Sequence, residues 1–291
     1  MKMIFSFIVA SLVLFPLLTA SSQDPAAKEK PEKGVQAEKA LTADEIVARA
    51  NQASYYRGAD GRAVVKMTIS DSQGRERQRR FTILRRDTPP PEGSDTKESD
   101  AFTGEQKFYL YFTRPSDVNR MGFLVHKHLD RDDDRWLFLP ALDLVKRIAA
   151  TDKRTSFVGS DFYYEDVSGR RTTDDTHTLK ETTQSYFVIE NIPLNPKEVE
   201  FSKYVVWIHR ETFLPVKTEY SDAEGRVLRT YQALGVETIG GYPTVTKSSM
   251  KDERTGSTTV MEYSGVKYDL GIPEEIFTER SLREPPRQWL N

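Results

Sequence analysis

The sequence predicts a mainly β protein: one large antiparallel sheet of about ten or eleven strands, curled or closed. Three observations point there. Short runs with apolar residues at every second position recur along most of the chain beyond residue 60. Turn signals such as Asp71-Ser72-Gln73-Gly74, Asp222-Ala223-Glu224-Gly225 and Gly240-Gly241 separate them. Few stretches carry a helical pattern, so the strands have no crossover helices and must pair antiparallel.

Taken in order, the chain begins with Lys2 and an almost unbroken apolar run from Met3 to Leu18 that ends in small residues, Thr19 to Ser22. This reads as a cleavable secretory signal over residues 1–22, with Ala20-Ser21-Ser22 before the cut, and implies a periplasmic destination. The run is short of the roughly 20 apolar residues that a bilayer span wants. Residues 23–40, rich in Pro, Lys, Glu, Ala and Gln, cannot bury enough apolar surface to order themselves and read as a disordered linker. Residues 41–291 remain as a single domain, long enough for a sizeable core.

The domain opens with a short helix signalled by the capping box Thr42-Ala43-Asp44-Glu45, with an apolar stripe of Ile46, Val47 and Ala50. Residues 63–69 then alternate as a strand, with Ala63, Val65, Met67 and Ile69 on one face. The next strand carries Arg75, Arg77, Arg79 and Arg80 before Phe81 and Ile83. Residues 87–104 hold three consecutive prolines and several acids and read as a loop. Further strands follow at 107–113, 123–125, 135–139, 185–190, 203–210, 214–220, 226–233, 242–250 and 257–267.

Composition excludes several function classes. The 291 residues contain no cysteine, so disulfides, thiolate metal sites and an acylated lipobox cysteine are all excluded. With 42 basic and 44 acidic residues the net charge is −2, and nothing in that balance suggests nucleic acid. Nucleophile elbow, His-Glu-x-x-His, Walker and dinucleotide fingerprints are all missing, so no catalytic residue or cofactor is assigned and the chain reads as a binding protein and not an enzyme.

Weaker candidates have plainer explanations beside them. His126 and His128, two apart, could hold a metal with Asp130, Asp132, Asp133 or Asp134, but the acidic run lacks calcium-loop spacing and reads as a polar hairpin turn. His177 and His209 are isolated. Ser160 and Asp161 fit a polar turn before a short helix better than a nucleophile pair, since no base is evident. The arginines from 75 to 86 could meet anionic headgroups or a partner, although such a row is more often a solvated strand face.

Several segments together resemble the LolA-like outer-membrane lipoprotein-sorting family, in the uncharacterised branch associated with lipid exporters of the resistance-nodulation-division (RND) type. They are Trp136 to Arg147, Gly159-Ser160-Asp161-Phe162 with Tyr164-Glu165-Asp166, Val206 to Pro215, Ile272-Pro273, Phe277-Thr278 and Leu282. The resemblance covers most of the chain beyond Thr42. His209 departs from it, standing where the family usually has an acid, and the loop 87–104 is longer and more acidic than the family pattern.

The resemblance implies a strongly curved antiparallel half-barrel with short helices covering its mouth and a cavity for acyl chains. On that reading the chain is a periplasmic carrier of lipid or lipoprotein acyl chains. Its donor would be an inner-membrane RND-type exporter. The cavity would be lined by Val65, Met67, Ile69, Phe81, Ile83, Phe108, Leu110, Phe112, Phe123, Trp136 and Phe138, with Ile46 and Val47 on a lid helix. The competing expectations are that these side chains fill a solid core, and that the domain is an accessory module that docks on an exporter complex without a ligand.

Overall fold

A computed structural model describes residues 40–88 and 104–290. The segments expected as signal (1–22) and linker (23–40, up to residue 39), and residues 89–103 of the expected loop, lie outside the described residues. The described residues form thirteen strands: β1 Asp60–Ser70, β2 Glu76–Asp87, β3 Gln106–Arg114, β4 Gly122–Lys127, β5 Asp134–Leu139, β6 Leu144–Ile148, β7 Asp175–Thr182, β8 Tyr186–Pro193, β9 Lys203–His209, β10 Pro215–Ser221, β11 Val227–Ile239, β12 Tyr242–Asp252 and β13 Thr258–Tyr268. They form one antiparallel sheet in the order β6-β5-β4-β3-β2-β1-β13-β12-β11-β10-β9-β8-β7.

The expected count of about ten or eleven is therefore low, and the eleven strands located in the sequence are two short of those observed. The additional strands are β6 and β7, and they are the two edges of the sheet. An edge strand with little to bury need not alternate: Leu144, Lys146 and Arg147 of β6 and most of β7 are exposed, so neither shows the period-two signal that marks the other strands.

Every strand pairs with its sequence neighbour, and β1 also pairs with β13. The hydrogen-bonded series is thus interrupted once, between β6 and β7. The connector from 149 to 174 joins these two strands along the chain and carries the helix α2, Tyr164–Ser168.

Register sorts the apolar residues onto two faces. Along one row Val65 stands opposite Phe81 and Phe81 opposite Phe112; along another Ile83, Leu110, Phe123 and Leu137 succeed each other. These residues meet Phe157, Phe162 and Tyr164 of the connector in one buried cluster. On the other face Leu84, Tyr109, Leu124 and Trp136 succeed each other. That row is covered by the C-terminal segment, including α3 (Glu279–Arg283) and α4 (Arg287–Leu290), through Ile272, Phe277, Leu282 and Leu290. Gly122 lets Leu282 approach, since a Cβ there would stand 2.9 Å from its Cδ2.

Two sequence expectations are corrected by this sorting. Trp136 and Phe138 belong to the outer row and not to the interior. The run Trp136-Leu137-Phe138-Leu139 is continuously apolar because both faces of β5 are covered, so periodicity alone assigns neither face. Likewise α3 and α4 lie on the outer face and cover no mouth.

The helix α1, Ala43–Tyr55, starts at the expected capping box, with Glu45 N–H donating to Thr42 Oγ1 at 3.2 Å and Thr42 N–H donating to Glu45 Oε2 at 2.7 Å. Its buried stripe packs Ile46 and Ala50 on Ile189 of β8 and Ile208 of β9. Its last carbonyl, on Tyr55, accepts from Arg85 of β2 at 2.6 Å and from Gln106 of β3 at 2.8 Å. One helix therefore spans the inner side from β8 and β9 to β2 and β3.

Candidate binding cavity

A cavity of about 450 Å³ lies on the inner face, within the roughly 300–1,000 Å³ range of small-molecule sites. Strands from both halves of the sheet line it, which shows how far the sheet curves. Val65, Phe81, Ile83, Phe108 and Leu110 from β1 to β3, with Phe157 and Phe162 of the connector, make a mainly apolar wall, which Arg62 and Arg85 of the same strands also line. The facing wall is mixed: Val206 and Ile208 alternate with hydrogen-bonding groups on Asn191, Tyr204, Thr218, Tyr220, Tyr231 and Tyr263. Val47, Ala50, Ala53 and Tyr55 of α1 close the space from above.

Five of the residues expected from sequence therefore line the cavity: Val65, Phe81, Ile83, Phe108 and Leu110. Met67, Ile69, Phe112 and Phe123 lie on the same face but are buried in the packed cluster around Phe157, and none of them lines the cavity. The rings of Phe81, Phe112, Phe123 and Tyr164 stand 6.3, 6.0, 5.4 and 5.7 Å from that of Phe157. The interior is thus open in one part and filled by side chains in another. Of the two lid residues, Val47 lines the cavity and Ile46 is buried against β8 and β9.

The tyrosines were missed by sequence reasoning, although β9, β10, β11 and β13 place them at alternate positions. Burial pushes the hydroxyls of Tyr220, Tyr231 and Tyr263 above the ordinary tyrosine range, so they stay neutral donors and acceptors. Tyr204 donates to Asp175 Oδ2 at 2.8 Å.

Beside the cavity the connector is held by buried ion pairs. Arg154 reaches Glu165 at 2.9 Å and Glu200 of the β8–β9 loop at 2.6 Å, and Arg170 reaches Asp175 at 2.9 Å. Arg229 of β11 is fully buried; its Nη2 donates to Asp166 at 2.6 Å and to the Asp161 carbonyl at 2.9 Å. Its guanidinium also lies 3.6 Å from the ring centroid of Tyr163. Burial pushes the Asp166 carboxyl up, but Arg229 and Arg154 outweigh it and hold the group below the usual carboxylate range.

Asp161 accepts from Ser257 at 2.5 Å and from Thr259 at 2.7 Å, while the Ser160 hydroxyl donates to the Phe157 carbonyl at 2.7 Å. The segment Gly159 to Asp166 thus ties the connector down, which is the turn role expected of Ser160 and Asp161.

Lys127 supplies a further tie. Its Nζ donates to the Ser168 carbonyl at 2.7 Å and sits 5.1 Å from the Tyr55 ring centroid. Burial pulls its amine down to about 8. Gly169, just after α2, has φ +76°, and a Cβ there would stand 2.5 Å from Tyr55 Cζ. Replacing Gly169 by Ala is expected to push Tyr55 off the connector and cost about 1–3 kcal/mol, read as a lower melting temperature with faster amide exchange at the end of α1.

The two histidines weighed for metal binding do not converge. His126 packs its ring 5.0 Å from that of Trp136 and bonds the Phe277 carbonyl through Nε2 at 2.8 Å. His128 contacts Glu105 at 2.7 Å and Asp134 at 3.0 Å. Of the isolated pair, His177 bonds Asn191 and the Thr172 carbonyl, and His209 bonds Thr212. Among the described residues no group of three or more His, Asp or Glu is arranged to hold a metal, and no helix is long and apolar enough to cross a membrane.

Solved structures share this architecture. A DUF1329 family protein from Desulfovibrio piger is 28% identical, with a TM-score of 0.71 over 82% of this chain and 97% of its own. A putative outer membrane lipoprotein-sorting protein domain from Vibrio parahaemolyticus is also 28% identical, with a TM-score of 0.71 over 83% of this chain and 98% of its own. A LolA superfamily protein from Nitrosomonas europaea, 21% identical with a TM-score of 0.60 over 83% of this chain and 99% of its own, shares the fold. A family model described as an uncharacterized protein matches residues 104–284, well over half of the sequence. The chain belongs to the family which that model describes, and its fold is LolA-like. No curated protein matches it in sequence. Within this LolA-like domain, the segments that carried the family resemblance fall largely on the connector and on the outer row beneath the C-terminal segment, and only Phe162, Asp166, Val206, Ile208, Leu214 and Pro215 of them touch the cavity.

Proposed function

We propose that this LolA-like protein is a periplasmic carrier that holds lipid or lipoprotein acyl chains in the inner cavity and passes them toward the outer membrane. The observation that carries the reading is a cavity one side of which is lined by Val65, Phe81, Ile83, Phe108, Leu110, Phe157 and Phe162. Each methylene kept from water is worth about 0.8 kcal/mol, so an unescorted acyl chain of roughly 16 carbons is costly to move through an aqueous compartment. Reversible burial needs no bond to be made or broken, so the protein acts as a binding protein and not as an enzyme. Release follows when a receptor offers the chain a better site. On this reading residues 1–22 direct export, residues 23–40 form a linker, residues 41–291 are the lipid-binding domain, and an inner-membrane RND-type exporter is the donor.

Native mass spectrometry of the protein isolated from its own periplasm tests the reading, with bound lipid as the expected result. Ile83 lines the cavity and is only partly buried. An Ile83→Asp variant that still melts cooperatively is expected to bind a fluorescent fatty acid at least about tenfold more weakly, because a carboxylate must be desolvated beside the chain. Absence of copurifying lipid, together with no probe binding by the unaltered protein, would favour a docking module without a ligand.

A further inference from the structure

On the face turned away from the cavity, the strand register lines up charges that neither the core nor the cavity uses. Lys247, Glu262, Lys66, Arg80 and Arg114 stand side by side across β12, β13, β1, β2 and β3. The first three alternate in sign, and Glu262 bridges Lys66 at 3.4 Å and Lys247 at 3.3 Å. The alternation then breaks. Arg80 and Arg114 are cross-strand partners, both exposed, and neither has a carboxylate at ion-pair distance among the described residues.

Like charges directly opposite each other destabilise a sheet, so this pair stands where an anion would relieve it. Arg79, whose cross-strand partner is Met67, starts from the other face and has Asp117 3.7 Å away. Lys66, Arg79, Arg80 and Arg114 line one groove with Ser116 and Asn119.

We propose that this groove is an anion site that docks the protein on the phosphate headgroups of a lipid surface. None of the exposed large apolar side chains lies in it. Protein interfaces are anchored by buried aromatic or apolar groups, so a groove of cations, hydroxyls and amides matches a layer of phosphates better than an acidic protein. The proposal does not rest on the carrier reading, because the groove and the cavity lie on opposite faces and an empty cavity would leave it standing.

The test is cosedimentation of the purified protein with neutral phosphatidylcholine vesicles and with vesicles that also contain phosphatidylglycerol. Binding is expected only to the anionic vesicles and is expected to weaken as salt rises. Each basic residue near such a surface contributes about fivefold, so Arg80→Gln/Arg114→Gln should lower binding about 25-fold. Its melting temperature should stay level or rise, because the repulsion is gone. Arg226→Gln/Arg280→Gln, an equal charge change elsewhere, should stay within about twofold. Undiminished binding by the first double variant, an equal loss in both, or equal binding to neutral vesicles, as the apolar run at 3–18 would cause, overturns the proposal. So does thermal protection by inorganic phosphate, or capture of an acidic protein, without any binding to anionic vesicles.

Discussion

Replacing Asp166 by Ala is expected to lower stability by about 3–5 kcal/mol, a fall in melting temperature on the order of 10 °C for a domain of this size. The cause is the partner left behind. Arg229 is fully buried, and with Asp166 gone it keeps the Asp161 carbonyl, the Tyr163 ring and Glu200, whose carboxylate is 3.6 Å from Nη1. Its Nε and Nη1 already lack hydrogen-bond partners among the described residues. A guanidinium stripped of its carboxylate in such a place bears its desolvation cost without compensation. The double variant Asp166→Leu/Arg229→Met should recover much of the loss, because the isolated charge is costly and the pair itself contributes little. Chemical denaturation of the two variants decides the matter; a double variant as unstable as Asp166→Ala would mean that the pair itself is needed to position the connector.

Replacing Phe157 by Ala should cost a similar 3–5 kcal/mol, the usual range for truncating a fully buried aromatic. Phe157 is fully buried, joins the connector to Phe81, Phe112 and Phe123, and packs on Tyr164 within the connector. It also lines the cavity, so the space vacated is continuous with the space already there. Two measurements separate the consequences. Hydrogen exchange should quicken across 149–174 before it does in β1 to β4, and the variant should accept a bulkier acyl probe than the unaltered protein. Uniformly faster exchange with no change in probe preference would show that Phe157 serves the core alone.

Alternation made β1, β2 and β3 legible in the sequence, and it put Val65, Phe81, Ile83, Phe108 and Leu110 on the correct face because those strands have one apolar interior row each. The same signal failed where both faces are covered, at Trp136 and Phe138, and where nearly nothing is buried, at β6 and β7. Cavity and core could not be separated either. Phe112 and Phe108 sit two residues apart on each side of Leu110 and look equivalent, and only the distant Phe157 decides that the first is packed solid while the second faces open space. The ion pairs escaped for a related reason: Arg154, Asp166, Glu200 and Arg229 lie far apart along the chain and meet only through the fold.

The single interruption between β6 and β7 has a mechanical meaning. A hoop cut at one point can change its girth without breaking any rung, provided that its back can flex. The strand midway round from the cut is β13. Its junction with β1 slips register between Arg62 and Val64, and β11 and β12 slip around Gly235. Irregular pairing of that sort lets a sheet bend locally. Register slips also at β2–β3, β9–β10, β10–β11 and β7–β8, so the give is spread round the hoop and reaches the edge beside the cut.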